Sequence, residues 1–404
     1  MNELFWYKIN PLDVLMFRES KPFSPGSGSW AKGQFPPMPH PVFQALRSLT
    51  NVSAQVTLTF QGPFLASQHP GEALTLWVPT PKDLLCVRSV ATHTSQDDDW
   101  QEELEAKALS WERTARLQPC PQEQPQWKQI AFPKNQLPPM VPPAFMPVEN
   151  FGTTGPSNDH LRVSPKNREI ICGRLPLWIK VSALVRYLQG EMLTNPQDFT
   201  DDPWDIQILP HIKIQSDSRQ VASEDGYFTE AAVRLRPYWA LIAGLNIELP
   251  KECIRLGGEG HRALVEPLPS APMDWQSLSR FLSPANEGPW SVYVLTPGLA
   301  QVSDTEAVYG LYPKVWRAYL EGGVGDRPLL WGGMSSYWQK KADGSESREV
   351  GFLPQRAFVT PGTIYRFHTR PPADRLLPQL APNNRDWLKT FYQLGYGTLL
   401  WGKP

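Results

Sequence analysis

The side chains able to do chemistry are few and scattered. Seven histidines (His40, His69, His93, His160, His211, His261 and His368) and four cysteines (Cys86, Cys120, Cys172 and Cys253) are spread over 404 residues. No histidine stands in an HExxH or comparable ligand spacing, and no two cysteines have the short separation of a zinc site, so no metal ion is expected. There is no G-x-S-x-G elbow and no cysteine in an activating context. With no secretory leader ahead of them, the thiols are expected to be reduced and buried in a cytoplasmic protein. His40, in Pro39-His40-Pro41 at the head of a helix, is the one candidate general acid/base for metal-independent RNA cleavage. A capping or surface histidine fits the same setting.

The most informative stretch is Leu256-Gly257-Gly258-Glu259-Gly260-His261-Arg262. From Gly258 to Ala263 it satisfies G-x-G-x-x-A. A dinucleotide loop, however, needs a helix next, and Leu264-Val265-Glu266-Pro267 is extended and stopped by proline. The Gly-Lys-Ser/Thr of a P-loop is missing, and Glu259 lacks the second carboxylate of a two-metal hairpin. No cofactor is therefore expected. What remains is a loop whose bare backbone at Gly257, Gly258 and Gly260 can approach a phosphate, with His261 and Arg262 as side-chain donors. A plain tight turn explains the glycines equally well. In Gly395-Tyr396-Gly397, Tyr396 could stack on a base, while the glycines also suit a helix C-cap leading into a buried strand.

Charge is balanced overall, with 39 basic against 40 acidic residues, which excludes a simple polybasic nucleic-acid binder. It is uneven locally. Asp97, Asp98, Asp99, Glu102, Glu103, Glu105 and Glu112 face only Lys107. Arg162, Lys166, Arg168, Arg174 and Lys180 face only Glu169, and a further basic set runs from Arg366 to Lys403. Clusters of this kind either form solvated surface or leave an electrostatic footprint for an anionic polymer.

The elements that must position these groups are short. With 43 prolines and 16 tryptophans, the chain favours strands, turns and ordered loops over long helices. Leu4 to Ile9 reads as a buried strand, Pro41 to Asn51 as a helix, and Val56–Phe60 and Leu74–Val78 as strands. Strand, loop, helix, strand, strand is the opening of a βαββαβ unit. A proline-dense arm spans 118–165, and Leu177 to Leu188 has helical spacing. Further strands are expected at 206–209, 212–214, 227–235, 241–247, 290–295, 357–359 and 363–367. A helix over 387–394 is stopped by Gly395. A boundary near Asn195–Asp198 then gives two α+β halves, 1–200 and 201–404. No apolar run reaches the roughly 18 residues needed to span a bilayer.

Taken in order, several segments resemble one family. Arg18-Glu19-Ser20-Lys21-Pro22-Phe23 is similar to an Arg-Asp-Gly-x-Pro-Phe opening, with Glu19 and Ser20 in place of Asp and Gly. Phe35-Pro36-Pro37-Met38-Pro39-His40-Pro41 leading into Ala45-Leu46-Arg47 is similar to its proline step into a helix. Ala222-Ser223-Glu224-Asp225-Gly226-Tyr227-Phe228, the Leu256–Arg262 loop, Thr360-Pro361-Gly362-Thr363-Ile364-Tyr365 and Gly395-Tyr396-Gly397 follow in family order. The chain resembles the RAMP-superfamily subunit of the type III-B CRISPR (Cmr) effector complex that binds the crRNA 5′ handle, with its type III-A Csm counterpart next. The acidic stretch and much of the proline-rich arm have no counterpart.

The resemblance implies an α+β chain of two ferredoxin-like, RRM-like domains with proline-rich insertions. It also implies no catalytic centre, and a place in antiviral defence beside a large polymerase-like subunit and the backbone RAMP subunits. Candidate RNA contacts are Arg18, Lys21 and Phe23 from the first loop and Arg47 from the helix. His211, Lys213 and Arg219 join them from the second half, with Gly257, Gly258, Gly260, His261 and Arg262 from the glycine loop, and Tyr396. Lys166 and Arg168 would lie on a hairpin touching the RNA or a neighbouring subunit. The alternative within the same superfamily is a repeat-processing endoribonuclease that uses His40.

Overall fold

Aromatic and β-branched side chains make Phe5–Pro11 a strand, β1, with Tyr7 and Ile9 fully buried. In the computed structural model, which describes residues 4–19, 30–50, 56–91, 111–120, 137–143, 167–212, 227–284, 288–300, 310–340, 346–372, 374–378 and 386–404, β1 lies inside an eight-stranded sheet. The order is β11 (Phe199–Thr200), β10 (Trp178–Lys180), β4 (Thr75–Pro79), β3 (Phe60–Ser67), β14 (Trp239–Leu245), β1, β16 (Arg262–Pro267), β15 (Glu252–Arg255). All neighbours are antiparallel. At its centre the run β16-β1-β14-β3 places the fourth, first, third and second strands of a set side by side.

A second sheet repeats that order with β22 (Leu399–Gly402), β17 (Trp290–Val294), β21 (Ile364–Phe367) and β18 (Leu320–Val324). Between β18 and β21 the chain makes a long hairpin, β19 (Leu329–Lys340) with β20 (Glu346–Phe358). Three smaller groups complete the strands. β12 (Trp204–Ile212) pairs with β13 (Tyr227–Leu235), which pairs with β2 (Trp30–Ala31). β5 (Leu84–Ala91) lies between β6 (Arg113–Arg116) and β9 (Asn167–Ile171). β7 (Gln118–Pro119) pairs with β8 (Met140–Val141).

Among the described residues the α-helices are short: α1 (Pro39–Arg47), α2 (Val181–Leu188), α3 (Met273–Leu278) and α4 (Asp386–Gln393). α1 tolerates Pro39 and Pro41 because the first turn has no intrahelical N–H bonds to lose. It buries Val42, Phe43, Ala45 and Leu46 against a core shared with Phe60, Phe358, Phe391 and Tyr396. A separate apolar cluster joins the two four-strand sets, with Trp6, Phe64 and Ile242 from the first and Tyr293, Ile364 and Leu400 from the second. The chain is a mixed α/β protein, rich in strands and poor in helix.

Several local expectations shift. The strand placed at Val56–Phe60 begins only at Phe60. Trp178 to Lys180, which has helical spacing, is a strand because it is held between β4 and β11, and the helix starts at Val181. Two strands expected over 206–214 are the single strand β12 within the described residues. β1 pairs with β14 and β16 and not with β3, so the sheet takes strands from both sides of the boundary expected near 195–198. Cys86 and Cys172 are buried, but Cys253 is exposed. The acidic stretch up to residue 110 and most of the proline-rich arm lie outside the described residues, as do Lys21, Phe23, Lys166, Lys213 and Arg219.

Candidate nucleic-acid interface

The glycine loop closes the β15–β16 hairpin. Leu256 N–H donates to His261 O at 2.9 Å and His261 N–H to Gly258 O at 3.2 Å. A chain folded this tightly needs left-handed backbone, supplied at Gly257 (φ +86°) and Gly260 (φ +80°), and by Glu259 at φ 52°. A Cβ on Gly257 would stand 2.5 Å from the Met16 carbonyl oxygen, so the glycine is also required by close approach. Gly258 N–H donates to that same oxygen at 2.7 Å.

Met16 belongs to an extended segment that ties the loop to the rest of the site. Leu15 and Val233 exchange two backbone bonds of 2.8 Å, and Gln34 N–H donates to Phe17 O at 2.7 Å. The dinucleotide fingerprint fails as expected, since strand β16 follows the loop where a helix would have to start.

Register gives the hairpin its electrostatics. Arg255 sits directly opposite Arg262, both are exposed, and neither guanidinium has a partner among the described residues. Like charges directly across a ladder destabilise it. Arg18 stands near them, paired with Glu259 at 2.8 Å; with side chains 53% and 33% exposed, this pair contributes little stability. Met16, Arg18, Arg255, Gly257 and Gly258 line one side of an open groove of about 710 Å³, and Gln44 and Ser48 from the α1 region line the other.

Beneath the loop lies a carboxylate that belongs to no sequence motif. Glu230 on β13 is fully buried, accepting at 2.7 Å from His211 Nε2 and at 3.1 Å from His261 Nε2. His211 lies diagonally across the ladder on the same face, because its direct partner is Phe228 and that of Glu230 is Leu209. The cluster fastens the β12–β13 hairpin to the glycine loop. Among the described residues no group of three or more His, Cys, Asp or Glu is arranged to hold a metal ion.

The expected residues are thus brought together only in part. Arg18, Gly257 and Gly258 share the groove, and Arg262 flanks it through Arg255. His211 and His261 turn toward Glu230, so their imidazoles position the loop instead of facing out as free donors. The Gly258 N–H is spent on Met16 O and is not a bare donor for phosphate. Gly260 is exposed at the tip with open space around it.

Arg47, half-buried at the end of α1, is not among the groove-lining residues. Tyr396 is fully buried, with ring centres 4.7 Å from Phe391 and 5.3 Å from Phe358, so no base can stack on it in this structure; its glycines do form the C-cap into β22. Arg168 lies on β9 opposite Val90. His40 is in the first turn of α1, 3.4 Å from the Gln44 amide, and burial holds its pKa below the usual histidine value.

Sequence motifs single out neither Arg255 nor Glu230. A lone carboxylate inside the apolar run Tyr227 to Val233 was the available signal for Glu230. Arg255 carries no signal until the hairpin register is known.

Fold and groove together define a class: a strand-rich α/β protein with two like-ordered four-strand sets and a cationic glycine hairpin beside an open groove. The family model described as CRISPR-associated protein (Cas_Cmr3) matches residues 7–404. The chain belongs to that family, as its resemblance to Cmr proteins implied. Chains of solved structures are also similar. One, from a type III-B Cmr-beta complex bound to cognate target RNA and AMPPnP, has 11% identity and a TM-score of 0.38, covering 89% of this chain and 86% of that one. Another, from Cmr-beta bound to cognate target RNA, has 12% identity and a TM-score of 0.40, covering 98% and 96%. A comparison with curated proteins found no match. No helix among the described residues is long and apolar enough to cross a membrane.

Proposed function

We propose that this chain is a non-catalytic subunit of a type III-B RNA-guided effector, holding the 5′ handle of crRNA while docking the large polymerase-like subunit and the backbone RAMP subunits. Each four-strand set is read as a ferredoxin-like unit, the first interrupted by everything between β3 and β14, the second by the β19–β20 hairpin. The fourth-first-third-second strand orders support that reading. The observation that carries the functional reading is the Arg255–Arg262 pair: two guanidiniums with no partner among the described residues, held opposite one another at the mouth of a groove that also receives Arg18. A phosphodiester between them relieves their repulsion and gains charge-assisted hydrogen bonds.

The test is binding of labelled handle RNA to the full-length chain across a salt series. Each phosphate contact to a single strand adds about 0.7 to the slope of log affinity against log salt. Arg255→Ala with Arg262→Ala, which removes the hold on the one phosphate between them, is therefore expected to flatten that slope by about 0.7 and weaken binding at low salt. Unchanged affinity and slope in the double variant would remove the hairpin from the RNA site.

A further inference from the structure

A second cavity, of about 330 Å³, lies between the Phe35–Pro39 turn, the β4 side of the large sheet and the Leu295–Pro297 segment. Its walls are aromatic. Phe35, Trp77, Trp178 and Trp204 line it, with Phe35 and Trp204 ring centres 4.8 Å apart and Trp178 and Trp204 5.7 Å apart, both pairs edge-to-face.

Its electrostatics are acidic. The Asp202 carboxylate accepts from Trp178 Nε1 at 2.9 Å through one oxygen, and no cation pairs with it among the described residues. The one ammonium in the lining, Lys82, is taken by Asp326 at 2.6 Å. Two carboxylates against one already paired cation leave the cavity net negative. A nucleotide would stack on these rings, but it would bring its phosphate up to Asp202 and Asp326 with no free cation to meet it.

Electron-rich ring faces beside an uncommitted carboxylate favour a cation, and a planar guanidinium best, since it stacks and hydrogen-bonds at once. The chain already fills one such cage from within. Arg356 lies 3.9 Å from the Trp387 ring centre, 5.1 Å from that of Trp331 and 5.4 Å from that of Phe391.

We infer that the Phe35–Trp178–Trp204 cavity is a docking socket for an arginine side chain of a partner protein, with Asp202 as its counter-ion. The inference is independent of the RNA reading, because no residue of the socket lines the glycine-loop groove. The test is calorimetric titration of the full-length chain with acetyl-Gly-Arg-Gly-amide, its citrulline twin, and AMP. The arginine peptide is expected to bind about tenfold tighter than the citrulline twin. Asp202→Asn, which keeps an acceptor for Trp178, should abolish that preference at an unchanged melting temperature. If Asp202→Asn does not fold, the comparison of the two peptides on the unaltered chain decides. Equal affinity for both peptides, no heat from the arginine peptide, or tighter binding of AMP to this cavity would each overturn the assignment.

Discussion

Gly257 and Gly260 share a left-handed backbone and a loop, yet replacing each by alanine should have unequal consequences. At Gly260 (φ +80°) an added methyl meets nothing within 4 Å. The cost is then only that of a left-handed L-residue, about 1 to 2 kcal/mol, partly offset by the reduced entropy of the unfolded chain, and about 1 kcal/mol is expected. At Gly257 (φ +86°) the same backbone term applies, but the methyl stands 2.5 Å from Met16 O and 3.3 Å from Met16 C. Those atoms are backbone, in a segment pinned by the Leu15–Val233 bonds, so they cannot swing aside. The loop must move instead and give up the Gly258 N–H to Met16 O bond of 2.7 Å, worth about 1 kcal/mol. Gly257→Ala should therefore cost about 2 kcal/mol, roughly 1 more than Gly260→Ala. Urea unfolding of the full-length variants measures the difference, because both share one unfolded reference and one m-value. Equal destabilisation of the two, or a larger loss at Gly260, would refute the close-approach argument and with it the idea that this loop is held rigid from below.

Two further outcomes follow from the buried groups. Asp83 is fully buried, accepting from Tyr187 Oη at 2.8 Å and pairing with Arg366 Nη2 at 3.2 Å, while Arg366 Nε and Nη1 have no hydrogen-bond partner among the described residues. Asp83→Asn keeps the tyrosine bond but strands the guanidinium, so unfolding free energy should fall by about 3 to 5 kcal/mol; a loss below 1 would mean that Arg366 is not held as a buried charge. The thiols should also separate: burial pushes Cys86 up to about 11, leaving about one part in a thousand as thiolate at pH 8, whereas Cys253 is exposed. Iodoacetamide should label Cys253 in the native protein and Cys86 only after denaturant is added. Peptide mapping that finds both labelled at one rate would contradict the packing around β5.

How much of this is readable without coordinates depends on how local the determining physics is. β1 carries aromatic and β-branched strand composition, β16 alternates, and the glycine loop announces its turn, so these emerge from the chain as written. Sheet membership does not. Tyr7 on β1 donates its hydroxyl to Ile247 O at 2.7 Å across 240 residues of chain, and no window of sequence contains both. That is why a division near residue 200 looks natural in one dimension, although β14 and β16 return to the first sheet. Trp178 to Lys180 misleads for the opposite reason: an apolar run at helical spacing is captured as a strand by β4 and β11 before the helix begins. An aromatic residue between two glycines suits a base platform and a core equally, and only the packing of Phe358 and Phe391 around Tyr396 decides.

The site shows the same division between residue type and register. Arg262 is legible as a cation beside glycines, but its partner in charge, Arg255, is fixed by the β15–β16 ladder, in which Ile254 opposes Ala263 on the buried face and the two arginines oppose each other on the exposed one. A slip of one residue would bury charge and expose Ile254, so burial of the apolar pair holds the arginines where they repel. That repulsion sits at the rim of the groove, where among the described residues no acidic side chain meets either guanidinium, while Glu259 does meet Arg18. An anion seated between Arg255 and Arg262 would turn the least favourable contact of the hairpin into a favourable one, which is the arrangement expected of a surface that is complete only when its partner is bound.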